Sequence, residues 1–239
     1  MNPIYSIQSF ISDAKYVLAQ GLPLEIEKQQ VGERLRELAK RDDLLSFGRP
    51  IGYTDASNFN WVLYREHPDI MLVMVGWLPG YRSPVHEHGD YCPIGVGYKG
   101  HDRWDIYERL DDGKAEDYAD LRLVDQKHVT PLTLVYLAPP PRSIHSHNVV
   151  TTEMTYELLF FYTPSLPPQQ RLHFDVEQKK CWPSHFSMDV FDGEWPPKVP
   201  DHPAAANARR LLKPNSTLLR KAFCPVCSCL PGLWPDAVS

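Results

Sequence analysis

The sequence lacks a cluster of basic residues: its 25 Lys and Arg are outnumbered by 30 Asp and Glu, which gives a formal net charge of −5. Binding to the phosphate backbone of a nucleic acid relies on concentrated positive charge. The sequence also lacks an apolar run of roughly 18 residues, the length that a membrane-spanning helix needs. We therefore expect no nucleic-acid partner and no membrane partner.

Cysteine is scarce as well: the chain has five, an odd number, and most lie near the C-terminus. That pattern does not resemble the cysteines of a small secreted domain held by disulfides. The first residues carry no basic segment ahead of an apolar stretch, so a secretory signal is not expected. These absences predict a cytoplasmic protein in a thiol-reducing environment.

Two amphipathic helices are predicted near the N-terminus, over residues 4–20 and about 24–45. Apolar residues recur at helical spacing in both, as around Phe10 and Leu35. An apolar stripe of this kind packs against another element of the fold. We assign residues 1–45 to two helices that cover one outer face of a sheet.

From about Trp61 to Pro164 the pattern changes to many short β-like runs separated by turn residues. Short strands without intervening helices indicate an antiparallel sandwich or barrel. We assign residues 46–175 to this barrel. Residues 176–239 are rich in proline, which disfavours regular structure, and they are predicted to form an extension that wraps the barrel. The predicted fold class is therefore mainly β.

The most informative segment runs from Trp77 to His88. Residues two apart in a strand point to the same face, so His86 and His88 can aim two imidazoles at one point. His145 follows a predicted strand at residues 132–137 and a proline turn, from which an antiparallel return brings it opposite the pair. Three neutral imidazoles with open coordination positions suit iron, nickel, copper or zinc chemistry rather than a closed structural site.

The run from Gly80 to His88, with Gly100 further on, resembles the first conserved motif of the cupin superfamily. Residues 140–145 resemble the second motif. The resemblance implies a double-stranded β-helix, or jelly-roll barrel, that binds a metal through three histidines: His86, His88 and His145. His147 is an alternative third ligand because it shares a strand face with His145, although the motif spacing favours His145.

The first cupin motif usually also carries a glutamate, and the matching positions here are Cys92 and Pro93. A cupin that lacks this glutamate and keeps three histidines resembles the thiol dioxygenases, which act on cysteine or 3-mercaptopropionate. That resemblance implies a mononuclear non-heme iron dioxygenase that oxidises a small thiol or related small acid. It makes Fe(2+) the expected metal, with Ni, Zn or Cu as alternatives, and makes a small molecule and O2 the expected partners.

The thiol dioxygenases also carry a Ser-x-His-x-Tyr triad on the last barrel strand. Tyr162 matches the tyrosine and becomes the predicted catalytic residue, whereas the histidine and serine positions hold Phe160 and Leu158. This departure favours the alternative functions: a cupin metalloenzyme of different chemistry (a non-thiol oxygenase, lyase or isomerase) or a non-catalytic binding cupin. In animal cysteine dioxygenases a cysteine crosslinks to the active-site tyrosine. Cys92 resembles that cysteine, but it lies one residue closer to the histidine pair, which places it on the other face of the strand. It is therefore expected to be an apolar filler.

A carboxylate substrate needs a cation. Arg171 lies beyond Tyr162 at the spacing of the substrate arginine in mercaptopropionate-type relatives. Arginine pairs with a carboxylate through two parallel hydrogen bonds, so Arg171 is the predicted substrate-binding residue, or else a surface arginine, and Arg82 is a second candidate. The oligomeric state is left open.

The last part of the chain holds three closely spaced cysteines, and Cys181 is a potential fourth. Such thiols suit a zinc or iron knuckle, although a structural site usually has a second Cys-x-x-Cys pair. Metal binding, a redox role and a reduced, loosely ordered tail all remain open for Cys224, Cys227 and Cys229.

Overall fold

The computed structural model describes residues 5–47, 49–55, 58–66, 70–89, 92–136, 143–162 and 171–183. Two helices come first, α1 (Ile7–Leu18) and α2 (Leu24–Leu38), both shorter than predicted. The strands follow: β1 (Arg49–Asp55), β2 (Asn58–Glu66), β3 (Ile70–Trp77), β4 (Val85–His86), β5 (Cys92–Lys99), β6 (Asp102–Arg109), β7 (Leu121–Val129), β8 (Leu134–Tyr136), β9 (His145–Val149), β10 (Thr155–Tyr162), β11 (Leu172–Asp175) and β12 (Lys180–Pro183).

The strands of the described ranges form two antiparallel sheets. The first has the order β1-β2-β3-β10-β5-β8, and the second has the order β12-β11-β4-β9-β6-β7. Neighbours far apart in sequence pair in register, as Thr155 does with Trp77 and Tyr162 with Ile70. Crossing connections of this kind are typical of a jelly roll. The predicted fold class, mainly β with two N-terminal helices, is confirmed.

Helices α1 and α2 cover the outer face of the first sheet. Helix α1 begins where the Ser6 hydroxyl accepts a hydrogen bond from the Ser9 backbone N–H, at 3.0 Å. Phe10 and Leu35 are fully buried, and Phe10 packs edge-on against Phe160 of β10, with ring centroids 5.1 Å apart. Helix α1 thus packs directly against the first sheet. Among the described residues, no helix is both long and apolar enough to cross a membrane.

Strand β10 separates two layers of the core, because its side chains alternate between its two faces. Leu158, Phe160 and Tyr162 pack with the helices in one apolar cluster. Leu159 and Phe161 lie in a second cluster on the other face. All residues of β10 are buried, so both faces of the strand are covered by protein.

A turn after β3 directs the chain into the second sheet. Gly80 has φ +75°, a conformation that side chains with a Cβ rarely adopt, and the Tyr81 N–H donates to the Leu78 carbonyl oxygen at 3.1 Å. Strand β4 then pairs with β11, where His173 lies opposite His86. The second sheet continues through β12, beyond the barrel boundary assigned at residue 175. The rest of the predicted Pro-rich extension lies outside the described residues.

Candidate metal centre

Three buried histidines converge at the junction of β4 and β9. His86 in β4 lies directly opposite His145 in β9 in the strand register. His88 follows His86 by two residues. Each of the three offers a ring nitrogen within 4.8 Å of the other two. The structure therefore brings the three predicted metal ligands together at one point.

Backbone carbonyls set the ring orientation of two of these histidines. Nδ1 of His86 lies 2.9 Å from the carbonyl oxygen of Pro84, and Nδ1 of His145 lies 3.1 Å from that of Ser143. Because a carbonyl oxygen only accepts, each Nδ1 carries the hydrogen and each Nε2 keeps its lone pair. Histidines that bind metals commonly donate their other ring N–H in this way.

The rings of His86, His88 and His145 are held in their neutral form. Burial is the largest cause, and it lowers the pKa of each ring well below the usual histidine value. Charge on neighbouring histidines and on Arg171 lowers the pKa further. Neutral imidazole is the form that coordinates a metal, so the donor set fits a divalent iron, nickel, copper or zinc ion.

Aromatic side chains form walls around the histidines. The Trp104 indole stacks on the His145 ring, with centroids 4.6 Å apart and planes inclined by 16°. Phe161 lies beside His88, at a centroid distance of 5.7 Å. Trp104 and Phe161 are almost completely buried. These walls exclude water from one side of the centre.

A second buried polar cluster adjoins the three histidines and consists of Asp102, His147 and Glu157. Nδ1 of His147 donates to Oδ2 of Asp102 at 2.7 Å, and Nε1 of Trp104 donates to Oε1 of Glu157 at 3.0 Å. Burial raises the pKa of Glu157 well above the usual carboxyl value, and the nearby charge of Asp102 raises it further. Ionisation of Glu157 is therefore costlier than that of an exposed glutamate.

No sequence motif pointed to the two carboxylates of this cluster, and His147 was expected only as an alternative ligand. One signal was present: Glu157 is the single charged residue in the apolar run from Met154 to Tyr162. A charge inside a fully buried strand needs a partner. Trp104 of β6 supplies that partner through its Nε1, and the pairing of β6 with β9 also brings Asp102 close to His147.

Tyr162 lies on the face of β10 that is turned toward the helices. Its hydroxyl donates to Oε1 of Glu27 in α2, at 2.8 Å. The prediction that Tyr162 is the catalytic residue is therefore corrected, because its hydroxyl bonds to a helix on the face of β10 that is turned away from the histidines. The face turned away from the helices carries instead the residues one position earlier in the chain: Glu157, Leu159 and Phe161.

The two predicted substrate arginines occupy different places. Nε of Arg171 donates to the backbone carbonyl oxygen of Glu87 at 2.9 Å. The charge of Arg171 also lowers the pKa of the nearby histidine rings, His86 among them. Arg82 is exposed and forms a β-bridge with Asn148. The structure thus brings Arg171 to the histidines and places the Arg82 side chain at the surface.

Of the five cysteines, the structure describes Cys181 in full and Cys92 in its backbone only. Cys92 pairs in register with Tyr162, and its side chain lies outside what the structure describes. Cys181 is a buried free thiol whose Sγ lies 3.4 Å from the Tyr118 carbonyl oxygen. In the described ranges Cys181 belongs to no metal-ligand group. The remaining cysteines lie outside the described residues: Cys224, Cys227 and Cys229.

No protein-family model matches the sequence, and no curated protein matches it. Solved cupin-domain structures do resemble it. The Schizosaccharomyces pombe Cnp3 cupin domain is 12% identical with a TM-score of 0.35, over 45% of this chain and 66% of that one. Oxalate oxidase is 19% identical with a TM-score of 0.37, over 52% and 58%. KdgF from Halomonas sp. is 16% identical with a TM-score of 0.35, over 47% and 86%.

The chain covers less than two thirds of the length of the Cnp3 cupin domain and of oxalate oxidase. A likeness at these identities and TM-scores assigns no activity to the chain. The chemistry has to be argued from the residues of the site itself.

Proposed function

We propose that this protein is a metal-dependent cupin enzyme that oxidises a small thiol, or a related small acid, with O2. The observation that carries the proposal is the convergence of His86, His88 and His145 on one buried point. In the part of the chain that the structure describes, no carboxylate joins this group of three. A purely neutral ligand set supports binding of an anionic substrate atom, such as a thiolate sulfur.

We propose Fe(2+) as the metal, held by His86, His88 and His145, with Ni, Zn or Cu as alternatives. Bound ferrous iron would supply the redox chemistry. In the overall reaction the thiol loses four electrons and becomes a sulfinic acid, O2 accepts those four electrons, and both oxygen atoms end on the sulfur. Because its three ligands are neutral, the ion's charge is left uncompensated and lowers the pKa of a thiol that binds there.

The surrounding residues supply binding and protection. Arg171 lies close enough to the three histidines to lower their pKa values, so a carboxylate paired with its guanidinium lies next to the centre. Trp104 and Phe161 keep bulk water away from the reacting groups. A small molecule that carries both a thiol and a carboxylate fits these two features.

A second candidate is a different reaction on the same metal, such as a non-thiol oxygenation, a lyase reaction or an isomerisation. One observation favours it: β10 contains neither serine nor histidine, and its face away from the helices carries Phe161, Leu159 and Glu157, so a Ser-His-Tyr relay is absent from this strand. A non-catalytic binding role is the third alternative.

The deciding experiment is O2 uptake by protein reconstituted with Fe(2+), tested against a panel of small thiols, with metal content determined on the same sample. Uptake with one thiol, together with a sulfinate product identified by mass spectrometry, would support the dioxygenase. The double variant His86→Gln/His88→Gln should then lose turnover, whereas His128→Gln, at an exposed position, should keep it. Absence of uptake from fully iron-loaded protein would favour the second candidate.

A further inference from the structure

We propose that Asp102, His147 and Glu157 bind a divalent cation of their own, beside the three-histidine centre. Asp102 and His147 lie in β6 and β9 of the second sheet, whereas Glu157 lies in β10 of the first. An ion bound by all three would therefore join the two sheets of the barrel. The proposal goes beyond the proposed function, because it requires neither the thiol reaction nor the ion that would carry it out.

Two oxygen atoms of this cluster have no hydrogen-bond partner among the described residues: Oδ1 of Asp102 and Oε2 of Glu157. Both side chains are fully buried. The other oxygen of each acid is paired. Oδ2 of Asp102 accepts from Nδ1 of His147 at 2.7 Å, and Oε1 of Glu157 accepts from Nε1 of Trp104 at 3.0 Å. Since buried polar atoms are normally paired, two unpartnered oxygens in one cluster indicate a ligand that both can bind.

The charges of the cluster favour a cation as that ligand. In the part of the chain that the structure describes, no lysine or arginine pairs with Asp102 or Glu157. A buried carboxylate is costly unless a positive charge accompanies it. A divalent cation balances two carboxylates. A buried water molecule would satisfy the free oxygens but would leave their charges unbalanced.

The ligand atoms lie close enough together for one ion. A carboxylate oxygen of Asp102, one of Glu157 and a ring nitrogen of His147 all lie within 4.8 Å of one another. Metal bonds to such atoms are about 2.0 to 2.2 Å long, so ligands on opposite sides of an ion lie about 4.0 to 4.4 Å apart. Small movements of the side chains therefore suffice to close the site around an ion.

The donor set also indicates the class of ion. Carboxylates suit Mg, Ca and Mn, whereas imidazole suits Zn, Cu, Fe and Ni, so a site with both favours an ion such as Mn(2+) over the softer metals. All three ligand side chains are buried. A closed site of this kind is typical of a structural ion rather than a catalytic one.

Mn(2+) binding tests the proposal. Mn(2+) alone is titrated into metal-free protein, and the EPR signal of the free ion gives the number of ions bound per chain. The wild type should bind one more Mn(2+) than Asp102→Asn/Glu157→Gln, which removes both charges at nearly constant size. Mn(2+) should also raise the midpoint of thermal unfolding more in the wild type than in this variant. Asp112→Asn/Glu153→Gln, at exposed positions, is the matched control with the same change in charge.

A second variant separates this site from the three-histidine centre. His86→Gln/His88→Gln should keep the ion of the Asp102 cluster, so failure of the proposed reaction would leave the present proposal in place. If Asp102→Asn/Glu157→Gln does not fold, anomalous diffraction from wild-type crystals soaked in Mn(2+) decides, with a peak expected between the two carboxyl groups.

Two results would overturn the proposal. One is a folded Asp102→Asn/Glu157→Gln protein that binds as many Mn(2+) ions as the wild type. The other is the absence of an anomalous peak between the two carboxyl groups. Either result would mean that a shared proton or a buried water molecule, and not a cation, accompanies the two free oxygens.

Discussion

His86 and His145 lie directly opposite each other in paired antiparallel strands, with ring centroids 4.5 Å apart. The register of β4 against β9 therefore determines the candidate metal centre, since a slip of one residue would turn one of the rings to the opposite face. His88 completes the group, with its ring centroid 5.0 Å from that of His145. The centre depends on strand pairing and not on a flexible loop alone.

Removal of His145 should abolish tight metal binding. His145→Gln deletes the ligand nitrogen at the middle of the group. We expect the dissociation constant for the metal to rise by about 100-fold or more, because mutation of a residue that only supports a ligand already weakens metal affinity by about 10- to 100-fold. Competition with a chromophoric chelator measures the change. His128→Gln should match the wild type. Unchanged affinity in a folded His145→Gln protein would contradict the three-histidine centre.

The face assignment of β10 has its own test in Tyr162→Phe. The variant removes the Tyr162 hydroxyl, so Oε1 of Glu27 loses the hydrogen bond that this hydroxyl donates. The free energy of unfolding should fall by about 1 kcal/mol. Metal affinity and turnover should stay within about twofold of the wild type, because the side chain lies on the opposite face from the histidines. Urea denaturation measures the first effect and chelator competition the second. Loss of turnover in a stable, metal-loaded variant would return Tyr162 to the active site.

The grouping of His86 with His88 could be predicted from the sequence because its signal is local. The spacing of His86 and His88 places both on one strand face without any knowledge of the fold. The helices were predictable for the same reason, since the apolar stripe around Phe10 and Leu35 repeats at helical spacing. In each case the periodicity of a single element decides which side chains share a surface.

The orientation of β10 was not predictable in this way. Glu157 apart, the residues from Tyr156 to Tyr162 are apolar or aromatic on both faces, so alternation carries no inside–outside signal. The Asp102–His147 pair joins two strands that are distant in sequence, and no local pattern predicts such a contact. Strands β11 and β12 were missed because each has only four residues, and β1 was missed because its Pro50 and Gly52 are residues that strands disfavour.

The choice between the two arginines is testable with a carboxylate-bearing thiol. Arg171→Gln should raise KM by about 10-fold or more, since loss of a charge-assisted pair costs about 1.5 to 3 kcal/mol, and kcat should change much less. Arg82→Gln, at the exposed position, is the matched control and should leave KM unchanged. Steady-state O2 uptake gives both constants. Equal KM values for Arg171→Gln and the wild type would remove Arg171 from the substrate site.

The stability of the metal-free protein should fall as the pH falls below about 6.5. Burial, and next the charge of Arg171, lower the pKa of His173 to about 3, whereas an unfolded chain binds that proton near 6.5. Between these values the unfolded state binds more protons, so each such histidine removes about 1.4 kcal/mol of stability per pH unit of acidification. The lowered pKa values of His86, His88 and His145 act in the same direction. Glu157, whose pKa is raised, acts in the opposite direction.

The contribution of His173 is separable from that of the other rings. Urea unfolding of chelator-treated protein at pH 7.5, 6.0 and 5.0 gives the slope of stability against pH. His173→Gln should flatten that slope by about 1.4 kcal/mol per pH unit, because glutamine binds no proton in either state. His128→Gln, whose side chain is exposed, should keep the wild-type slope. A His173→Gln slope equal to that of the wild type would mean that His173 exchanges its proton as readily in the folded protein as in the unfolded chain.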